Sequence, residues 1–356
     1  MLYNQKNPHG GDIYGREIRL DYSANTNPFG TPEGICDAIR EAVPQLHRYP
    51  DPYCRSLVSA ISAHEGVDPE FILCGNGAAE LIFSWCEAVR AASALEPAPT
   101  FSEYGRAFAR LGGEMHFYPL RPENGFRPGP DLTEQIARER PQAVFLCNPN
   151  NPTGQLLPPA LLEEAVELTG KLGIRLFLDE CFLDLTDGGQ SLIPRLAEHP
   201  HLTILKAFTK SYGMAGVRLG YVLSADRALL EAMSATVQPW NVSTVAQRAG
   251  VAALREDAFL EHTRALIRQE RPVLKQGLEA LGLKVFPSDV NFLLFSGPVG
   301  LDEALLREKI AIRSCGNYPG LSEGWYRIAV RLPEQNRQLL EAMKRAMEDS
   351  TWQKTS

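Results

Sequence analysis

The sequence lacks long apolar segments, and none approaches the roughly 18 consecutive apolar residues that a membrane-spanning helix requires. Its first residues also lack the apolar core of a signal peptide. Basic residues do not dominate, since 36 Lys and Arg stand against 43 Asp and Glu for a net charge of −7. Clustered basic residues are what nucleic-acid binding needs. We therefore expect a protein without a membrane or nucleic-acid partner.

Closely spaced cysteine pairs are also missing, because none of the seven cysteines forms a CxxC motif. We therefore expect no zinc or other metal site. An odd number of cysteines in a long chain without a secretion signal is typical of buried thiols in a reducing cytosol, so we expect a cytoplasmic protein. The sequence has no internal repeat or low-complexity linker, and its 356 residues are enough for one large and one small domain.

Short apolar segments alternate with amphipathic ones over the first part of the chain. Candidate strands lie at 71–74, 115–119, 143–147, 175–178, 203–205 and 219–223, and candidate helices include 81–89 and 160–171. The strands are apolar almost throughout, which predicts a mostly parallel sheet that is buried on both faces.

The pattern changes toward the C-terminus, where helical segments become longer. Helices are predicted at 226–237, 242–281 and 334–348, and strands at 284–286, 291–295, 310–314 and 325–330. We therefore expect an α/β fold in three parts. These are an N-terminal arm or binding loop (residues 1–30), a large domain (residues 31–240) and a smaller α+β domain (residues 241–356).

Three polar side chains come within five residues after the ends of predicted strands. Asn151 lies in the sequence NPNNPTG, Asp179 in LDE and Lys210 in FTKS. Taken singly, Asn151 could belong to an ordinary turn, Asp179 could cap a helix, and Lys210 could be a solvated lysine. Together they would meet at the carboxyl edge of the sheet, where ligands of open α/β folds bind. There a desolvated lysine can act as a nucleophile, and a buried carboxylate requires a positive partner.

Two further features suit an anionic ligand. Gly77, Ala78 and Ala79 join a predicted strand to a helix, and small residues there let backbone N–H groups and the helix dipole meet a phosphate. Arg218 follows Lys210 by eight residues, and its planar guanidinium could bind a phosphate through two bonds. An ordinary turn and a surface arginine would fit the same residues, so neither feature decides alone.

Taken in order, these motifs resemble the fold-type I enzymes that use pyridoxal 5′-phosphate (PLP), near the histidinol-phosphate aminotransferases, over essentially the whole chain. The resemblance implies that Lys210 carries PLP covalently, that Asp179 keeps its ring nitrogen protonated and that Asn151 binds its 3′ oxygen. The resemblance also implies contacts to the cofactor phosphate from Gly77, Ala78, Ala79, Thr209 and Arg218. Phe101 would stack on the cofactor ring, with Tyr104 as the second candidate. Tyr49 would contact the phosphate of the PLP bound in the neighbouring subunit. The last contact implies a homodimer with shared active sites.

Other segments look more like the threonine-phosphate decarboxylases of cobalamin biosynthesis. They are HGG at 9–11, DYSANTNP at 21–28, FSEYGR at 101–106, and IRSCGNYPGL at 312–321 followed by WYRIAVR at 325–331. Phe182 also stands where aminotransferase relatives usually have a tyrosine. Ala78 and Ala79 depart from the pattern, because larger or polar residues are expected there. The implied reaction is the PLP-dependent decarboxylation of L-threonine O-3-phosphate to (R)-1-amino-2-propanol O-2-phosphate.

The implied substrate carries a carboxylate and a phosphate, so it requires two cationic contacts. Arg313 and Arg327 would supply them in an order that the sequence does not assign, and His9, Gly10 and Asn25 would contact the substrate from the arm. Two alternatives remain open. One is an aminotransferase acting on histidinol phosphate or a similar amine, and the other is an O-phosphoserine decarboxylase, since one methyl group is worth only about 1–3 kcal/mol.

Overall fold

The structure is a computed structural model that describes residues 9–348. Its strands, in chain order, are β1 (Leu20–Asp21), β2 (Ile72–Gly75), β3 (Ser93–Ala98), β4 (Glu114–Pro119), β5 (Ala143–Cys147), β6 (Arg175–Asp179), β7 (Leu202–Ala207), β8 (Gly220–Ser224), β9 (Lys284–Val285), β10 (Phe292–Ser296), β11 (Ile310–Ala311), β12 (Arg313–Ser314) and β13 (Trp325–Ala329). Its α-helices are α1 (Glu33–Ala42), α2 (Arg55–Glu65), α3 (Ala78–Val89), α4 (Glu103–Ala109), α5 (Asp131–Glu139), α6 (Pro159–Leu172), α7 (Phe208–Ser211), α8 (Arg227–Thr236), α9 (Thr244–Ala253), α10 (Asp257–Ala280), α11 (Leu301–Arg307) and α12 (Pro333–Glu348).

A seven-stranded sheet in the order β2-β8-β7-β6-β5-β3-β4 forms the larger part of the fold. Strand β8 is antiparallel to both of its neighbours, and the other adjacent pairs are parallel. Every residue of β5 and β7 is buried, as in a sheet that is covered on both faces. The predicted α/β fold with a mostly parallel sheet is therefore confirmed.

Strand β3 was not predicted, because its sequence SALEPA contains a glutamate and a proline. Proline lacks an N–H group and usually argues against a central strand. Here β5 pairs only with Ala94 and Leu95 of β3. Pro97 lies beyond that pairing, so its missing donor breaks no hydrogen bond to β5.

A four-stranded antiparallel sheet in the order β12-β13-β10-β9 forms the smaller part. The single helix predicted over 242–281 is instead two helices, α9 and α10, interrupted at 254–256. Helix α9 packs against α1 and α2, whereas α10 packs against α12 and β9. The strand predicted at 310–314 is likewise two short strands, because β11 pairs with β1 and β12 pairs with β13.

The N-terminal segment contributes to the core, contrary to the expectation of an arm without core elements. Strand β1 is parallel to β11, and Tyr22 is fully buried with its hydroxyl donating to Asn336 Oδ1 at 3.2 Å. The limits at residues 30 and 240 stay a prediction. Within residues 9–348, no helix is long and apolar enough to cross a membrane.

Candidate active site

Several chain segments carry polar residues to one edge of the seven-stranded sheet. Strands β5, β6 and β7 are parallel, so Asn151, Asp179 and Lys210, which lie at or beyond their carboxyl ends, share that edge. Strand β8 runs the opposite way, which places Arg218 there just before the strand begins. Strand β2 is antiparallel to β8 and therefore delivers Gly77 to the same edge.

This edge borders a cavity of about 400 Å³. The predicted site residues that line it are His9, Gly10, Asn25, Ala78, Ala79, Phe101, Asn151, Asp179, Thr209, Lys210, Arg218, Arg313 and Arg327. Of the predicted residues, Gly77, Tyr49 and Tyr104 (the second stacking candidate) are not part of the lining. Further lining residues that were not predicted as site residues are Ser23, Ala24, Glu103, Arg106, Cys147, Cys181, Phe182, Ala207 and Tyr318. The sequence prediction and the cavity therefore coincide at most positions.

Asp179 is buried and held by two donors. The Cys181 backbone N–H donates to Oδ1 at 2.8 Å, and the Tyr104 hydroxyl donates to Oδ2 at 2.6 Å. Burial raises the pKa of Asp179, although these bonds and nearby Lys210 oppose the shift. The ionised carboxylate would therefore gain from a positive partner on the cavity side.

Tyr104 supports Asp179 from behind the cavity wall and does not line the cavity. Its ring is fully buried and stacks on Phe145 with 5.3 Å between the centroids. Phe101 lines the cavity and meets the Tyr104 ring edge-on at 5.7 Å. Of the two aromatic candidates for stacking on a ligand ring, the structure therefore exposes Phe101 to the cavity.

Lys210 lies in α7, immediately after β7, and its Nζ is 5.7 Å from the centre of the Phe182 ring. The pKa of Lys210 is lowered to about 8, mainly because burial removes water from the ammonium, and because Arg327 and Arg218 repel it. About one-tenth of the side chain is then an uncharged amine at pH near 7, far more than for an ordinary lysine. That is the form in which a lysine attacks a carbonyl.

The anion-binding end of the cavity is built on Gly77. Its φ is +84°, and a Cβ at this position would lie 2.5 Å from the Arg218 Nη2 atom. Only glycine therefore lets the Arg218 guanidinium approach the start of α3. Helix α3 begins at Ala78 and has 12 residues, so its first N–H groups and its dipole act together with Arg218 on an anion.

Arg313 and Arg327 are direct register partners on β12 and β13. Both are buried and both line the cavity. Arg327 donates to Asn151 Oδ1 and, at 2.8 Å, to the Ser23 carbonyl, while Arg313 donates to Asn317 Oδ1 at 2.7 Å. Like charges opposite each other on paired strands are destabilising. Such a pair at a cavity is suited to binding anions.

The N-terminal segment closes one side of the cavity. His9 Nε2 is 2.7 Å from Glu103 Oε1, and Arg106 donates to the same oxygen at 2.8 Å. Burial works against ionisation of Glu103, but the bonds to His9 and Arg106 outweigh it and lower its pKa. Glu103 was not predicted as a site residue, although the segment at 101–106 was singled out. The available signal was the pair of opposite charges, Glu103 and Arg106, at a spacing of three residues in that segment.

Asn25 presents an unusual amide to the cavity. The residue is 1% exposed, yet neither Oδ1 nor Nδ2 has a hydrogen-bond partner among residues 9–348. A buried polar group without a partner costs about 1–3 kcal/mol. Since Asn25 lines the cavity, a bound ligand could satisfy both atoms.

Tyr49 lies away from the cavity on the surface of the chain. It is 78% exposed, and its ring stacks on Trp240 with 4.5 Å between the centroids. Within residues 9–348, Tyr49 does not reach the cavity. Its contact with a neighbouring subunit therefore stays a prediction.

The residues around the cavity fit PLP. The α3 N-terminus and Arg218 suit its phosphate, Asp179 suits a protonated ring nitrogen, and Lys210 offers an amine to its aldehyde. Phe101 provides a flat apolar surface on the cavity wall. The described part of the chain contains no cluster of three or more side chains that could hold a metal ion.

Comparisons with known proteins agree with this geometry. Residues 17–343 match the family "Aminotransferase class I and II". The threonine-phosphate decarboxylase of Salmonella typhimurium is 36% identical, over 95% of this chain and 96% of that protein. A histidinol-phosphate aminotransferase from Anaeromyxobacter sp. is 35% identical, over 94% and 92%. The crystal structure of a histidinol-phosphate aminotransferase from Clostridium acetobutylicum has a TM-score of 0.86 and 28% identity, covering 93% of this chain and 99% of that one. This chain therefore belongs to the class I and II aminotransferase family and uses pyridoxal 5′-phosphate as its cofactor.

Proposed function

We propose that this protein decarboxylates L-threonine O-3-phosphate to (R)-1-amino-2-propanol O-2-phosphate, a step of cobalamin biosynthesis. The observation that carries the proposal is the paired Arg313 and Arg327 beside Lys210. Together with the Arg218 site for the cofactor phosphate, they give the cavity cations for a second phosphate and for a carboxylate. The similarity to the Salmonella typhimurium enzyme supports the same reaction.

The side chains divide the chemistry among them. When bound, PLP supplies an electron sink for the electron pair that the departing carboxylate leaves on Cα. Asp179 holds a proton at the ring nitrogen, and Asn151 binds the 3′ oxygen. Lys210 would hold the cofactor, and its Nζ would take up the proton that the substrate ammonium gives up and return a proton to Cα. One carbon–carbon bond breaks, CO₂ leaves, and one C–H bond forms.

The arginines act on orientation rather than on protons. The bond that breaks must stand perpendicular to the cofactor ring, because only then do its electrons overlap the ring's π system. Two anions held at separate cations fix the rotation about the bond from the amine nitrogen to Cα. The phosphate thereby contributes binding energy that is used to orient the carboxylate.

Transamination of a phosphorylated amine is the second candidate, and a specific observation favours it. The Anaeromyxobacter sp. histidinol-phosphate aminotransferase is almost as similar to this chain as the decarboxylase is. Phe182 argues for decarboxylation, since it occupies the place of a tyrosine in aminotransferase relatives and cannot hydrogen-bond to the 3′ oxygen. O-Phosphoserine, which lacks one methyl group, is the third substrate to compare.

A substrate comparison tests the proposal. The holoenzyme is supplied separately with O-phospho-L-threonine, O-phospho-L-serine and L-histidinol phosphate, each with and without 2-oxoglutarate. We expect the largest kcat/KM with O-phosphothreonine, independent of 2-oxoglutarate and without glutamate formation. Turnover of histidinol phosphate that requires 2-oxoglutarate and exceeds the other rates would replace the decarboxylase with an aminotransferase.

Asn25→Ala should have opposite effects on stability and on substrate binding. Removing an unsatisfied buried amide should leave the melting temperature of the free enzyme unchanged or higher, whereas KM for O-phosphothreonine should rise about 5- to 30-fold, equivalent to about 1–2 kcal/mol. The control is Asn336→Ala, because Asn336 is equally buried but bonds to Glu270 and Tyr22. That variant should lose stability and keep its KM. A fall in stability in Asn25→Ala, with KM unchanged, would remove Asn25 from substrate binding.

The rate at which apoenzyme captures PLP should depend on pH through Lys210. The pKa of Lys210 is lowered to about 8, and only the uncharged amine reacts. We expect the rate to fall about tenfold per pH unit below that value and to level off above it. Stopped-flow absorbance measurements over pH 6–10 would check this, and a midpoint near an ordinary lysine pKa of about 10.4 would contradict it.

Tyr49 supports a further part of the proposal, a homodimer with shared active sites. Its ring stacks on exposed Trp240, and the exposed apolar side chains Val43, Leu46 and Tyr53 lie close to it in the sequence. Exposed apolar patches of this kind mark protein–protein contacts.

All seven cysteines lie within the described residues and are free thiols, which supports the proposed cytoplasmic location.

A further inference from the structure

We propose that Asn27 is a positioning residue for Lys210, and that its side chain fixes the Lys210 turn, defined here as residues Phe208–Ser211 of α7. The proposal rests on the role given to Lys210 above. It does not depend on whether the enzyme decarboxylates or transaminates. Asn27 is two residues beyond Asn25, in the segment that was predicted to be an N-terminal arm or binding loop.

The Lys210 turn has few internal hydrogen bonds to stabilise it. Helix α7 has four residues, and the last carbonyls of any helix lack partners within the helix. The Phe208 carbonyl accepts from the Tyr212 N–H at 3.2 Å. The carbonyls of Lys210 and Ser211 require donors from elsewhere, and Asn27 supplies both.

Asn27 is 1% exposed, and its donors and acceptor are all used. Its backbone N–H donates to the Lys210 carbonyl at 3.0 Å. Its Nδ2 donates to the Ser211 carbonyl at 2.8 Å and to Thr263 Oγ1 at 2.8 Å, while its Oδ1 accepts from the Phe29 N–H at 3.0 Å. The amide therefore has one defined orientation and links the turn to α10.

A second contact holds the same turn through the Ser211 side chain. Ser211 Oγ donates to Asp184 Oδ2 at 3.1 Å, and Asp184 Oδ1 accepts from Lys206 Nζ at 2.8 Å. Arg264 donates to the Asp184 carbonyl at 3.0 Å. The Ser211 side chain is thus anchored to a buried ion pair, whereas within residues 9–348 its carbonyl accepts a hydrogen bond only from Asn27.

The position of the turn determines what Lys210 Nζ faces. The charged and titratable groups around it come from different elements. They are Arg327 on β13, Arg218 before β8, and Asp179 and Cys181 at the end of β6. Burial and the two arginines keep the ammonium form unfavourable, so a turn that moves outward would gain water and lose reactivity at neutral pH.

The test measures covalent capture of PLP by apoenzyme, without amino-acid substrate. Asn27→Ala should slow capture at pH near 7.5 about tenfold or more and move the pH midpoint upward by at least about one unit, since each unit of pKa changes the amine fraction tenfold. Asn291→Ala is the matched control. Asn291 is 0% exposed and donates to the Asn25 and Thr26 carbonyls at 3.4 and 3.3 Å, so it supports the same segment without contacting the turn. Its rate and midpoint should stay near those of the wild type.

An unchanged midpoint in Asn27→Ala, or equal changes in both variants, would overturn the proposal. If Asn27→Ala does not fold, Thr263→Val decides. It removes the Oγ1 atom, which accepts from Asn27 Nδ2 and donates to the Phe259 carbonyl within α10, and it leaves the Asn27 amide itself in place. A smaller slowing of capture with an upward shift of the midpoint would support the proposal, and no change would overturn it. Failure of the decarboxylase proposal leaves this assay unaffected. Failure of the Lys210 assignment would appear separately, as a cofactor that borohydride still fixes in Lys210→Ala.

Discussion

Lys210→Ala should abolish covalent attachment of PLP while leaving non-covalent binding in place. Borohydride should fix the cofactor to the wild-type protein and not to the variant. Turnover should fall by at least about 10³-fold, which lies within the range that positioned acid–base groups contribute. PLP should still bind, because Arg218 and the α3 N-terminus hold its phosphate independently of Lys210.

Lys206 offers a matched control for this experiment. It is a second buried lysine, four positions earlier on the same segment, but its Nζ lies 2.8 Å from Asp184 Oδ1. Lys206→Met should lose stability and still attach PLP covalently. Mass spectrometry of the reduced protein would locate the modified peptide. A cofactor that remains fixed in Lys210→Ala would show that another lysine carries it.

Arg313→Ala and Arg327→Ala should each reduce kcat/KM for O-phosphothreonine by about 30-fold to several thousand-fold. The reason is that an anion left without its partner in a buried site costs about 2–5 kcal/mol. Unphosphorylated threonine provides the decisive comparison. If the phosphate orients the substrate, the wild-type enzyme should lose kcat with threonine, and not only affinity.

The two arginine variants should then differ from each other. The variant without the phosphate-binding arginine should show little preference between threonine and O-phosphothreonine. The variant without the carboxylate-binding arginine should keep its preference and should release transamination products. Arg331→Ala is the control, since Arg331 is a nearby arginine that bonds to the Asp21 and Ala24 carbonyls and does not line the cavity. A preference retained in both cavity variants would assign the phosphate contact to another part of the site.

The sequence predicted the residues at the sheet edge well, because strand ends and short motifs are local properties. Asn151, Asp179 and Lys210 each follow an apolar strand, and parallel pairing brings such ends together. The same local pattern failed at β3, where Glu96 and Pro97 interrupt the apolar segment. The position of β3 between β4 and β5 depends on pairing with those strands, and that pairing cannot be inferred from a short segment of sequence.

Contacts between distant segments account for the other differences. The bond between Tyr104 and Asp179, and that between His9 and Glu103, join residues 75 and 94 positions apart. In the sequence, Tyr22 lies in a segment predicted as an arm, whereas in the structure its backbone N–H donates to the carbonyl of Ala311 in β11. The role of Asn27 is likewise invisible in the local sequence, because the two carbonyls to which it donates belong to a segment more than 180 residues later.

The fate of the carboxyl carbon tests decarboxylation most directly. Holoenzyme would be incubated in D₂O with O-phospho-L-threonine carrying ¹³C in its carboxyl group, and the products followed by NMR. Decarboxylation predicts labelled CO₂ and bicarbonate in amounts equal to the 1-amino-2-propanol phosphate formed, with one deuterium at the carbon that bore the carboxylate. Label retained in a keto acid, with the amino group transferred to the cofactor, would contradict decarboxylation and establish transamination.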